Sequence, residues 1–188
     1  MILSIVIPVY NSENILDELI NQIKSEIKEK LSLFKEFEII LVNDNSADNS
    51  WNKIKEITGN QKNIIGINLS KNFGQHNALM AGIKNSRGDF LITMDDDLQH
   101  PPSYIIDIIN KLSEGFDVCY TKYQNNKYSF LKKLGSAIND RIANIVLDKP
   151  KNIYLSSFRG IKRNVVNELK KFDGPYVYLD GIILNITN

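Results

Sequence analysis

Four times before residue 115 the chain repeats one course: a short β-rich apolar run, a polar loop, then apolar residues at helical spacing. Leu3 to Val9, Phe37 to Val42, Asn63 to Leu69 and Phe90 to Met94 have the length and composition of buried strands. After the first, Leu16, Leu19, Ile20, Ile23, Ile27 and Leu31 share one helical face, with Ser12 placed to cap it. After the second, Ser46 or Asp48 opens a helix through Trp51, Ile54 and Ile57. The third leads through Ser70 to Gly74 into a helix from Gln75 to Asn85, and the fourth into one with Ile105, Ile106, Ile109 and Leu112, closing at Gly115. A recurrence of roughly 30 residues is that of βαβ crossovers. The predicted fold is therefore α/β, a largely parallel sheet flanked by helices. A further strand is expected over Asp117 to Thr121, a helix from Ser129 to Ile145, a strand-like piece at Ser156 to Gly160, and helices at Ile161 to Leu169 and Tyr178 to Asn188.

In such a sheet ligands gather outside the carboxyl ends of the strands. Pro8-Tyr10-Asn11, Asn43-Asp44, Lys71-Asn72 and Asp95 to Asp97 all follow strand ends. The last group is the most demanding. Two like charges about 4 Å apart repel by roughly 4 kcal/mol at an effective dielectric of about 20, so three adjacent aspartates need something to offset them. In an extended chain Asp95 and Asp97 face one way and Asp96 the other. Two carboxylates facing together suit Mg²⁺ or Mn²⁺, which takes its remaining ligands from water and substrate phosphates. Without the strand before it, the triplet would read as a solvated turn. Asp44 is placed either to accept hydrogen bonds from a ligand or to cap the next helix. No G-x-G-x-x-G follows the first strand and no Gly-Lys-Ser/Thr occurs, which excludes a dinucleotide fingerprint and a P-loop. A diphosphate would instead be held by metal and cationic side chains.

At 188 residues and 43% hydrophobic content the chain holds one core, read as a single domain over 1–188. A net charge of +1 argues against nucleic acid, which calls for a basic stripe. Cys119, the only cysteine, sits in an apolar run, as a buried strand residue of a reducing compartment would. No window of about 18 apolar residues is present. The helical pattern running to Asn188 has no cap, which reads as truncation ahead of a further or membrane-bound region. On the predicted helix from Ser129, Lys132 and Ser136 lie one turn apart near Lys127, Lys133 and Arg141. They form either a solvated basic face or a phosphate site at a membrane surface, where each basic residue is worth about 1 kcal/mol. Arg159 and Arg163 could meet a diphosphate bidentately, although exposed arginines usually do nothing specific. Asp180 is either a late acid near the site or a helix cap. His76 and His100 are expected to pack or cap.

These residues carry a resemblance. Ser4-Ile5-Val6-Ile7-Pro8-Val9-Tyr10-Asn11, Val42-Asn43-Asp44-Asn45-Ser46, Asn72-Phe73-Gly74-Gln75-His76, Gly88-Asp89 and Met94-Asp95-Asp96-Asp97-Leu98-Gln99-His100-Pro101-Pro102 together resemble the motifs of family 2 glycosyltransferases with the nucleotide-sugar-binding GT-A fold. The Asn-Phe-Gly-Gln-His and Asp-x-Asp-Leu-Gln versions are most similar to the polyprenyl-phosphate branch, the one containing dolichol-phosphate mannose synthases. The resemblance implies that Pro8, Tyr10 and Asp44 hold the nucleoside, with Asn72 and Asp96 on the same donor-binding rim. It further implies that Asp95, Asp97 and Gln99 ligate the metal. Lys132 and Ser136 fall where that branch binds the lipid phosphate, and Ser157-Phe158-Arg159 with Arg163 where it contacts phosphate. It departs from the family pattern at Asn43 and Asn45, which replace an acid and a glycine, at Asp96, which replaces a small residue, and at Lys132, which replaces an arginine fork by a point charge.

The implied reaction is an inverting displacement at the anomeric carbon of a nucleoside-diphosphate sugar, with the metal stabilising the leaving diphosphate. A lipid phosphate, with its second pKa near 6, attacks without a base. A sugar hydroxyl needs a carboxylate to take its proton, and Asp180 is the candidate. The expectation is a polyprenyl phosphate acceptor at the cytoplasmic face of a membrane, with a structural Asp180. The rivals are a transferase adding sugar to a surface glycan and a donor-binding module without turnover.

Overall fold

The computed structural model describes residues 1–29, 34–59, 61–122, 155–174 and 176–187. Six strands form one sheet: β1 (Ile2–Val9), β2 (Glu36–Asn43), β3 (Ile64–Asn68), β4 (Phe90–Thr93), β5 (Val118–Tyr120) and β6 (Arg159–Lys162). Their order is β3-β2-β1-β4-β6-β5. The first four are mutually parallel, while β6 runs antiparallel to both β4 and β5. The helices are α1 (Leu16–Glu29), α2 (Ser50–Gly59), α3 (Gln75–Asn85), α4 (Tyr104–Ser113), α5 (Arg163–Lys170) and α6 (Leu179–Thr187).

The period of two along β1 divides the core. Leu3, Ile5, Ile7 and Val9 pack with α1, α2 and α4 on one face, while Val6 joins α3, α5 and α6 on the other. A strand buried on both faces reads as continuous apolar sequence, which is why β1 and β2 were so legible. Close packing requires glycine at two points. A Cβ on Gly82 would lie 2.3 Å from Val6 Cγ1, and one on Gly160 would lie 2.2 Å from Ile108 Cγ2.

Two local expectations change, at Ser12 and after Phe158, and one alternative is resolved, at Asp48. Ser12 does not cap α1, which begins at Leu16; its hydroxyl turns to Asp96 instead. Asp48 takes the capping position before α2, accepting from Ser50 N–H at 3.0 Å. The segment after Phe158 is strand as far as Lys162, because Gly160 and Ile161 pair with Ile92 and Leu91, so the helix expected from Ile161 starts at Arg163. The expected helix from Ser129, with Lys132 and Ser136, lies outside the described residues.

Candidate active site

The carboxyl ends of β1, β2 and β4 and the turn before α3 enclose a cavity of about 390 Å³, lined by Pro8, Tyr10, Asp44, Asn72, Gln75 and Asp95 to Asp97 among others. Its geometry follows from where the strands stop. β4 ends at Thr93, and the chain bends through the acids to Leu98, which sits at φ +57°. Strand alternation therefore does not extend to Asp96, contrary to the expectation that it points away. Asp96 turns in beneath the end of β1, accepting from Ser12 Oγ at 2.5 Å and from Tyr10 N–H at 3.2 Å. Burial pushes its carboxyl pKa up, opposed by those hydrogen bonds and reinforced by the charge on Asp95.

Asp95 is held at both oxygens, by Gln75 Nε2 and by Ser157 Oγ, each at 2.5 Å. Ser157 is itself fixed by Thr93, whose hydroxyl donates to its carbonyl at 2.6 Å. Asp97 is exposed and, among the described residues, accepts from Gln99 N–H at 3.0 Å. Across the cavity Asp44, 4% exposed, accepts from Phe73 N–H at 2.7 Å and Gly74 N–H at 2.8 Å. It neither caps its own helix nor stands free, but fixes the turn that enters α3. Among the described residues none of these four carboxylates forms an ion pair.

Two of the departures from the family motif now have a physical account. Asn45 adopts φ +56°, the left-handed conformation for which glycine is the usual choice and asparagine the next best. Asn43 is 2% exposed and structural: its Oδ1 accepts from Ser46 Oγ at 2.6 Å and its Nδ2 donates to Asn68 Oδ1 at 2.7 Å.

The other expected residues separate. Arg159 is 2% exposed and its guanidinium is ion-paired with Asp180, so neither side chain lines the cavity. Tyr120 packs under that guanidinium, 5.4 Å from ring centroid to Cζ, and burial raises its phenol pKa well above the ordinary value. Arg163 is corrected outright: it donates to the Gly88 and Ser86 carbonyls, before the amino end of β4 and away from the acids. His76 and His100 pack edge-on against Tyr178 and Phe158, at 5.2 and 5.4 Å, and burial lowers the pKa of each. A larger cleft of about 550 Å³ lies on the α4 side, lined by Gln99, Tyr104, Cys119, Phe158 and Lys122 among others. Cys119 is half-buried there, with its thiol pKa raised by burial.

The donor set suits a hard divalent cation: oxygen only, partly exposed, and without a lysine or arginine paired to it among the described residues. Among the described residues no group of three or more His, Cys, Asp or Glu could hold a metal by itself. That agrees with an ion that takes one or two carboxylates and completes its shell from water and phosphate. None of Gln75, Ser157 and Ser12 is expected from sequence to position an acid: Ser12 reads as a helix cap and Ser157 as part of a phosphate-contacting segment. Gln75 stood inside a quoted motif, but nothing in one sequence shows that Ser157 returns to β4.

Residues 4–170 match the family model for glycosyl transferase family 2. Among solved structures, TarS residues 1–349 from S. aureus is 18% identical, with 97% of this chain and 53% of that one covered at a TM-score of 0.63. The same protein in complex with UDP-GlcNAc aligns at 22% identity over 89% and 47%, TM-score 0.59. Glucosyl-3-phosphoglycerate synthase from Mycobacterium tuberculosis, in complex with Mn²⁺, UDP-glucose and phosphoglyceric acid, aligns at 15% identity over 88% and 58%, TM-score 0.64. The chain thus spans about half the length of the structures it resembles. It belongs to glycosyl transferase family 2 and is a glycosyltransferase domain of GT-A fold. Among the described residues no helix is long and apolar enough to cross a membrane.

Proposed function

We propose that the cavity binds a UDP-sugar through a divalent cation and that the domain transfers the sugar, with inversion, to a polyprenyl phosphate. One observation carries the donor half: four carboxylates border one cavity and, among the described residues, accept from neutral hydrogen-bond donors without an ion pair. Such a rim repels a bare diphosphate and accepts one accompanied by a cation. Asp95 and Asp97, with Gln99 beside them, would hold Mg²⁺ or Mn²⁺, which supplies charge stabilisation for the departing diphosphate. Pro8, Tyr10 and Asn72 line the opposite wall and hold the nucleoside, while Asp44 orders the turn beside it. The neighbours crystallised with UDP-sugars, one of them with Mn²⁺, support a uridine nucleotide.

The acceptor half rests on Asp180. The Asp180 side chain is buried against Arg159 and does not line the donor cavity, so it does not face an incoming hydroxyl there, which favours an acceptor that is already a nucleophilic anion. Lys132 and Ser136 are the proposed contacts to its phosphate, at the cytoplasmic face of a membrane.

Calorimetry of the domain with UDP, with and without Mn²⁺, tests the donor half. Binding that the metal tightens, with that gain lost in Asp97→Ala, supports it; equal binding without metal overturns it. Transfer of labelled sugar from UDP-sugars to polyprenyl phosphate in detergent tests the acceptor half. A loss of about 10³-fold or more in Asp180→Asn, with unchanged melting temperature, would favour a hydroxyl acceptor such as a surface glycan instead.

A further inference from the structure

The two ends of the donor cavity are joined by a short hydrogen-bonded path. Asp44, at the end of β2, takes the N–H groups of Phe73 and Gly74 on its two oxygens. The next residue, Gln75, opens α3 and its side-chain amide donates to Asp95 Oδ1. Gly74 makes this possible: at φ +86° and ψ 159° it occupies a region open almost only to glycine, and this presents its N–H to Asp44 while Gln75 turns towards β4. On its far side Asp95 is held separately by Ser157, from the segment entering β6.

We propose that Gln75 is a positioning residue that couples nucleotide binding to metal binding. This rests on the donor reading above. A nucleotide settling against Asp44 and Asn72 fixes the Asn72 to Gln75 turn, and the turn, through the Gln75 amide, fixes the Asp95 carboxylate towards the metal position. Ser157 orients the same carboxylate but has no bond to the turn, so it sets metal affinity without sensing the nucleotide. Coupling between two ligands is reciprocal, so the factor by which Mn²⁺ tightens UDP equals the factor by which UDP tightens Mn²⁺. Outer partners of metal ligands are worth about 10- to 100-fold in metal affinity, which sets the scale.

The test uses no turnover. Mn²⁺ affinity is measured by electron paramagnetic resonance with and without saturating UDP, alongside UDP affinity by calorimetry with and without Mn²⁺, in wild type, Gln75→Ala and Ser157→Ala. Thermal unfolding of each variant accompanies the titrations. In Gln75→Ala the coupling factor is expected to fall about tenfold, with UDP affinity in the absence of metal little changed. In Ser157→Ala Mn²⁺ affinity is expected to fall with and without UDP alike, leaving the factor near that of wild type. An unaltered coupling factor in folded Gln75→Ala overturns the inference and leaves the donor reading standing. Equal loss of coupling in both variants also overturns it, because Asp95 would then respond to any lost partner. Absence of a metal effect in wild type removes the donor reading, and this inference with it.

Discussion

The two edges of the sheet each bury a polar cluster, and they treat charge in opposite ways. At the amino edge Glu38, 1% exposed, accepts from Ser4 Oγ at 2.6 Å, from Arg87 N–H at 2.7 Å and from Arg87 Nε at 3.0 Å. Arg163 and Lys170 close the same region by donating to the carbonyls of Ser86 and Gly88. Every acid there meets a cation or a fixed donor, and the cluster is complete. At the carboxyl edge four acids receive hydroxyl, amide and backbone donors, and among the described residues no cation pairs with them. A neutralised buried acid secures a fold; acids left without a paired cation are what the proposed metal-bound donor would need.

This contrast breaks first at the acids. Asp95→Ala and Asp97→Ala are each expected to lower sugar transfer by about 10³-fold, the equivalent of roughly 4 kcal/mol of lost charge stabilisation. Thermal unfolding of the same variants should show a melting temperature unchanged or raised, since like-charge repulsion is relieved; a marked fall would mean that the rim is structural after all. At the other edge Glu38→Ala should do the reverse, losing about 3 kcal/mol in urea unfolding because buried donors are left without an acceptor. Its metal-dependent UDP affinity should match wild type.

Two glycines sharpen the comparison at smaller scale. A Cβ at Gly88 would sit 2.5 Å from the Ser4 backbone nitrogen, so Gly88→Ala should cost about 2 kcal/mol by overpacking, read as a lower urea midpoint. At Gly74 a Cβ meets nothing within 4 Å, and the cost is conformational, about 1 kcal/mol, arising from φ +86°. Gly74→Ala should nevertheless weaken UDP binding, which Gly88→Ala should not.

The smallest effect concerns His76. Burial lowers its pKa, the Asp180 charge opposes that shift, and the Arg159 charge adds to it. Between the folded value and the ordinary one near 6.5 the unfolded chain binds more protons, so this contribution to stability is complete above about pH 6.5 and is lost as pH falls through the folded value. His76→Phe should flatten the decline in melting temperature below that pH; a slope identical to wild type would remove His76 from the account.

What could be read without coordinates was whatever obeys a period. Strands buried on both faces and helices with one apolar stripe announced themselves, and with them the polar loops at the carboxyl edge, so Asp44, Asn72 and Asp95 to Asp97 could be placed together. Contacts set by direction and bending could not. The alternation argument assumed an extended chain through Asp97, but the strand stops at Thr93, and so Asp96 faces inward onto Ser12. β6 runs against its neighbours, which brings Ser157 and Arg159 to the acid-bearing edge and carries Arg163 to the opposite one. Nothing local in Ser-Phe-Arg-Gly-Ile-Lys-Arg signals that reversal.

The same reversal sets where the chain leaves the sheet and returns. Tyr120 and Arg159 are paired in register, and Phe158 accepts from both the N–H and the hydroxyl of Thr121, so the chain leaves and re-enters the sheet at one point beside the acid rim. With departure and return points fixed, doubling the intervening length adds only about 0.6 kcal/mol of closure entropy. The register of that closing pair thus anchors the chain beside the acid rim, while the strands that lead to Asp44 and Asp95 are fixed by their own parallel neighbours.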